Sequence, residues 1–170
     1  MLVNTIVDNK KEHIDVYSDM PGFNINGGSL PPNIIVSNLN PDLVIVDKSQ
    51  SPEEVVLYEL TYPFDSPQNI QQANSYKKDK YQSLKSDIEE NGFTCHVIPF
   101  EIGARGFIPR RVKLILYSLL RSTTSIKYPT EHIIKLSKIS LLCSFSIFHS
   151  RREKTWSDPC LLYTSPSPRD

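Results

Sequence analysis

Two carboxylates at one end of a sheet face, with a lysine on the helix that follows, form a pattern able to hold a divalent cation. Asp42, Glu59 and Lys77 are spaced for it. The stretch Pro41 to Thr61, PDLVIVDKSQSPEEVVLYELT, reads as two strands joined by a polar turn. Asp42 leads into an apolar, β-branched run to Val46. Lys48 to Glu54 is rich in Ser, Pro and charge, and Val55 to Leu60 is a second apolar run. A turn centred near Gln50-Ser51 sets Asp42 opposite Glu59, Val44 opposite Leu57 and Val46 opposite Val55. Opposite residues of an antiparallel pair share a face at roughly 5 Å. A face of Val and Leu therefore ends in two carboxylates, which repel each other and are costly to bury singly. A divalent cation between them resolves the conflict. In the plainer alternative one carboxylate caps a strand end and the other lies in solvent.

The element that follows must bring the lysine. From Pro67 to Glu90 the apolar period becomes helical: Ile70, Ala73, Lys77, Tyr81, Leu84 and Ile88 recur at intervals of three and four. Ser66 is placed to cap this helix ahead of Pro67, and Asn91-Gly92 to end it. On a helical wheel Lys77 falls near the centre of the inward stripe, Lys80 at its edge, and Lys78 points away. Two readings of Lys77 stand: it faces the carboxylates, or it lays its stem along apolar surface and keeps its ammonium wet.

The remaining pattern predicts an α/β domain built on a small mixed sheet flanked by helices. His13 to Tyr17 is a short alternating strand, Pro21-Gly22 and Gly27-Gly28 are turns, and Asn33 to Val36 is a short extended piece. Phe93 to Glu101 is a further strand, Gly103 to Gly106 a loop, and Pro109 to Leu120 a helix with Arg110, Arg111 and Lys113 on its polar side. After a Ser/Thr break, His132 to Phe148 forms one more helix or a helical pair. The coarse order is strand, strand, strand, helix, strand, helix.

Composition narrows the function classes. The chain has 170 residues, 39% hydrophobic and 22% charged, enough for one globular domain with its own core. Formal net charge is zero, so no global basic field points to nucleic acid, and any basic surface is local. Cys95, Cys143 and Cys160 show neither metal-ligand spacing nor a disulfide framework, which suits a reducing compartment. MLVNTIVDNKKEH is too short and polar for a signal peptide, and Leu141 to Phe148 is too short to span a membrane. A soluble intracellular protein without a membrane partner is expected.

Four blocks in order carry a resemblance: PDLVIVD (Pro41 to Asp47), ELTYPFD (Glu59 to Asp65), AxxxKxxKYxxL (Ala73 to Leu84) and PFEIGARGF (Pro99 to Phe107). Together they resemble a domain found downstream of reverse transcriptases in animal retroelements, and through it the PD-(D/E)XK, or restriction-endonuclease-like, nuclease superfamily. The likeness covers roughly Ile14 to Pro159, including SFSIFHSRREKTW (Ser144 to Trp156). It implies a strand-strand-strand-helix-strand core with added C-terminal helices, and metal-dependent nicking of DNA. It implies Mg²⁺ (or Mn²⁺) held by Asp42, Glu59 and the Leu60 carbonyl, and a catalytic lysine. Thr61 stands where the pattern puts that lysine. In this superfamily the lysine can migrate to the following helix, which makes Lys77 the expected residue and Lys80 its reserve. Glu101 either assists from the next strand or faces solvent. Arg105, Arg110, Arg111 and the Arg151-Arg152 pair are candidates for phosphate contacts. His96 and His132 read as structural or solvated, and Asp19, in YSDMPGF, has no assigned role.

The implied partners are DNA and an upstream reverse transcriptase domain, with a nuclear location if the substrate is chromosomal. A catalytically silent nuclease-like fold that only binds nucleic acid or protein is the alternative, favoured by Thr61 and by the neutral net charge. A small-molecule enzyme on an unrelated α/β sheet finds no Gly-rich phosphate loop or nucleophile elbow to support it. The expected layout is a nuclease core over 1–121 and a helical extension over 122–159. The last stretch, 160–170 (CLLYTSPSPRD), resembles a translated sequencing-library adapter and is expected to lie outside the fold. On that reading the natural chain continues differently after Pro159, and Met1 is open to being internal to a longer protein.

Overall fold

The computed structural model describes residues 2–23 and 30–150. The Gly27-Gly28 turn, the Arg151-Arg152 pair, the RREKTW end of the SFSIFHSRREKTW likeness and the adapter-like tail lie outside the described residues.

The Asp/Pro-bounded apolar runs form strands because β-branched residues pack well on a pleated sheet with both faces covered. The order is α1 (Leu2–Asn9), β1 (Ile14–Ser18), β2 (Leu43–Asp47), β3 (Glu54–Thr61), α2 (Pro67–Lys80), α3 (Gln82–Glu90), β4 (Thr94–Glu101), α4 (Arg110–Thr123) and α5 (Thr130–Ser150). The four strands make one mixed sheet in the order β1-β2-β3-β4. The first three pair antiparallel and β4 joins β3 in parallel. A parallel neighbour needs a crossover, and α2 and α3 supply it.

Alternation along β2 and β3 divides the core in two. Leu43, Ile45, Val56 and Tyr58 face α1 and α4, where they pack with Ile6, Leu116 and Leu120. Val44, Val46, Val55 and Leu57 face α3 and cluster with Leu84 and Ile88 of that helix, with Tyr81 ahead of it and with Cys95 of β4. Burial pushes the Cys95 thiol up to about 12, so it serves as a small core hydrophobe. The pairings Val44↔Leu57 and Val46↔Val55 are the expected ones, and one step further the same register carries Asp42 to Glu59.

Two expectations are corrected and one element is added. The added element is α1, where Val3 and Ile6, three apart, give one buried edge. Asn33 to Val36 is not a strand; Ile34 is buried, its N–H bonds the Pro31 carbonyl at 2.9 Å, and its carbonyl accepts from Asn91 Nδ2 at 2.8 Å. The helix expected over Pro67 to Glu90 is broken at Tyr81, whose backbone (φ −100°, ψ 6°) leaves the helical region. Tyr81 is fully buried and its hydroxyl donates to the Asn40 carbonyl at 3.3 Å, an anchor that fixes the break. Both ends behave as read: Ser66 Oγ accepts from the Asn69 N–H at 3.2 Å, and Gly92 sits at φ 90° beyond Asn91.

The span expected from His132 to Phe148 is a single helix, α5. Its first half is seated by Ile133, and Ser137 and Ser140 donate their hydroxyls to the carbonyls of Gly106 and Gly103, at 2.5 and 3.0 Å. Among the described residues no helix is long and apolar enough to cross a membrane.

Candidate functional site

Asp42 immediately precedes β2, and Glu59 lies near the C-terminal end of β3 on the face covered by α2 and α3. Glu59 is 1% exposed and accepts from two sides: the Asp42 backbone N–H at 3.1 Å on Oε1, and the Lys77 ammonium at 2.6 Å on Oε2. Asp42 Oδ2 accepts in turn from the Leu60 N–H at 2.8 Å. Glu59 is thus tied to the Asp42 backbone and Asp42 to the backbone just beyond Glu59, which fixes both against the strand ends. The Asp42 carbonyl accepts from Ser18 Oγ at 2.7 Å, so β1 holds the same corner.

The electrostatics carry the strain expected of such a pair. The Asp42 carboxyl lies above the usual carboxylate range, first through burial and then through the negative charge of Glu59. The Leu60 N–H and Lys77 oppose that rise, and Asp19 adds to it. Asp42 keeps an exposed edge, but protein surrounds enough of it for desolvation to dominate. The Tyr81 hydroxyl is raised as well, by burial and then by Glu59, within whose hydrogen-bonding reach it lies; Asp42 and Asp19 contribute further. Asp19 is therefore close enough to be felt by both.

The donor set fits a hard divalent cation. Two carboxylates share one corner, with the Lys77 ammonium on Glu59, and Asp42 shows the protonation bias that a cation would relieve. Asp42 and Glu59, with the Leu60 carbonyl, are the residues that would hold it. Among the described residues no three His, Cys, Asp or Glu side chains converge as a metal cluster, so further coordination would fall to water and substrate oxygens.

Lys77 supplies positive charge to the pair from α2. Lys80 lies over the Tyr81 ring, 5.1 Å from its centroid, and is exposed. Thr61 Oγ1 is buried without a hydrogen-bond partner, two residues beyond Glu59 on the same face.

Glu101 faces inward, correcting one of its two expected readings. It is fully buried opposite Thr61 in the β3–β4 register, and accepts from Asn74 Nδ2 at 2.7 Å and Arg111 Nη2 at 2.6 Å. Arg111 also reaches the Pro99 carbonyl at 3.3 Å. Arg105 pairs through Nε with Asp65 Oδ2 at 3.0 Å and stacks on Phe64, 5.4 Å from the ring centroid. Arg110 is exposed at the start of α4. His96 lies 3.4 Å from Glu54 on the exposed rim, and His132 is half-buried on α5. Asn74 and Asp65 escaped the sequence reading. Asn74 was within reach of it, since it stands three residues before Lys77 and so shares its helix face.

Between α2 and the β4–α4 connection lies a groove of about 640 Å³, lined by Pro67, Ile70, Asn74, Arg105, Phe107 and Arg111 among others. Asn74 in its lining stands one helical turn before Lys77. No protein-family model, no curated protein and no solved structure matches this chain.

Proposed function

We propose that this domain is a metal-dependent DNA endonuclease of the PD-(D/E)XK kind, nicking one strand by phosphodiester hydrolysis. The observation that carries the reading is the Lys77 ammonium on Glu59 at 2.6 Å, with Asp42 tied to the same corner by its backbone N–H. The three-strand antiparallel run, followed by a helix and a parallel strand, supports it. The retroelement origin, an upstream reverse transcriptase partner and a nuclear location rest on the sequence resemblance alone.

Asp42 and Glu59 would hold Mg²⁺ or Mn²⁺, which supplies Lewis acidity and lowers the pKa of a water for attack. Lys77, pre-placed by its bond to Glu59, offsets charge building on the phosphoryl oxygens without reorganising. Tyr81, anchored to the Asn40 carbonyl where α2 meets α3, lies beside Glu59. Thr61 cannot supply a positive charge, and Lys77 takes over that task.

A second reading is a nuclease-like fold that binds without cleaving, favoured by Thr61 in the motif-lysine place. Nicking of supercoiled plasmid with Mg²⁺, Mn²⁺ or EDTA separates the two. Metal-dependent nicking is expected, abolished in Asp42→Ala, reduced at least a hundredfold in Lys77→Ala and retained in Lys80→Ala; the hundredfold is an order-of-magnitude figure, about that of losing one charge-stabilising donor. Loss in Lys80→Ala with activity kept in Lys77→Ala transfers the role to Lys80. No nicking in any metal, from folded protein, gives the second reading.

A further inference from the structure

The groove beside the carboxylate pair has no task in the mechanism above, and its chemistry selects a ligand. We propose that it receives the unpaired nucleotide adjoining the cleaved phosphate, so that the substrate is a single or locally opened DNA strand. Its place next to the cleaved bond rests on the nuclease reading; the choice of ligand rests on the groove itself.

Size comes first. About 640 Å³ is within the roughly 300–1,000 Å³ typical of small-ligand pockets, whereas a duplex, whose major groove alone is about 12 Å wide, cannot enter such a space. The walls are apolar. Pro67 and Ile70 on one side and Phe107 and Pro109 on the other offer flat apolar surface, and the Phe107 ring is 54% exposed. An aromatic face left open in a groove wall is what a base stacks on, whichever base it is.

Two guanidinium groups supply the charge. Arg105 and Arg111 are held from behind by Asp65 and Glu101, carboxylates that are 8% and 0% exposed. Those bonds use Nε of Arg105 and Nη2 of Arg111. A guanidinium has five N–H donors, so each keeps others for phosphate oxygens. The arginine side chains remain 68% and 49% exposed, open to a ligand. Burying two carboxylates to orient two exposed cations fixes the donors in place. It also leaves the groove without net charge, which suits one base and one phosphate better than the dense charge of a duplex. Asn74 in the lining stands one helical turn before Lys77, which places the groove next to the carboxylate corner.

The test is fluorescence anisotropy of the whole chain in EDTA, with labelled dT12 and a blunt twelve-base-pair hairpin. Cleavage is suppressed in EDTA, so the result is read independently of nicking. The expected result is tighter binding of dT12 than of the hairpin. Phe107→Ala weakens dT12 binding about tenfold, and Phe107→Trp retains it, as expected for loss and keeping of one stacked base. Because Phe107 is exposed, neither variant removes core. A preference for the hairpin, no binding of dT12, or a Phe107→Ala variant that binds as wild type overturns the proposal. Binding as expected in a protein that never nicks keeps the groove assignment and removes the nuclease reading alone.

Discussion

Replacing Lys77 by Met keeps the stem that lies along α2 and deletes the ammonium, which isolates the ion pair with Glu59. Glu59 is 1% exposed and Lys77 20%, at 2.6 Å, so this is a buried pair rather than a surface one. Removing one partner of such a pair costs about 3–5 kcal/mol, because the remaining charge is left uncompensated. The Asp42 N–H still donates to Glu59, and Lys77 has an open edge, which places the expected loss near the lower end, about 3 kcal/mol. For a domain of this size that lowers the melting temperature by about 6–12 °C. The assay is urea unfolding at pH 7.5 in EDTA, on wild type, Lys77→Met, Glu59→Gln and the double variant. Gln at 59 keeps an acceptor for the Asp42 N–H while removing the charge, so the double variant should recover about 2–3 kcal/mol relative to the sum of the singles. A Lys77→Met loss under about 0.5 kcal/mol, the range of ordinary surface changes, or a cycle with no coupling, refutes the buried pair and with it the basis of the proposed site.

Two further outcomes follow from the same geometry. The Asp42 pKa is raised in the fold, so its ionised form opposes folding: its contribution is most favourable below the unfolded pKa and is lost as pH rises through the folded one. Asp42→Asn should therefore raise the melting temperature of metal-free protein at pH 7.5, with the gain shrinking toward pH 4; a lowered melting temperature at pH 7.5 contradicts this. Gly106 has φ +83°, and a Cβ there would stand 2.6 Å from the Ser137 carbonyl oxygen. Gly106→Ala should cost more than about 1 kcal/mol in urea unfolding, and a neutral result would mean that the loop is not clamped to α5.

What the sequence disclosed was whatever short-range chemistry decides. A polar turn between two apolar runs fixes the sum of paired positions, which is why Val44↔Leu57 and Val46↔Val55 were legible and the Asp42–Glu59 juxtaposition with them. Ser66 before Pro67 and Asn91-Gly92 after Ile88 act within one turn of backbone, so both helix ends were legible too. The break at Tyr81 was hidden, because no Pro or Gly marks it and the three-four spacing runs straight through; it is set by a hydroxyl reaching Asn40, 41 positions away. α1 was hidden because an eight-residue helix is not stable by itself and this one depends on a core assembled from distant strands. The burial of Glu101 was illegible for a related reason: its partners come from α2 and α4, 27 and 10 positions away. Of the polar groups beside the carboxylate pair, Asn74 was within reach of spacing, whereas the burial of Glu101 and its bond to Arg111 were not.

The serine clamp on the β4–α4 connection also orders events during synthesis. Chains fold as they emerge from the ribosome, N-terminal parts first. Asp42, Glu59 and Lys77 all exist before β4 has been made, but Gly103 and Gly106 are secured only by hydroxyls at 137 and 140. The acidic corner can form early, whereas the wall carrying Arg105 and Phe107 is fastened only once α5 arrives. The nascent chain thus gains its acidic corner well before the groove beside it can close.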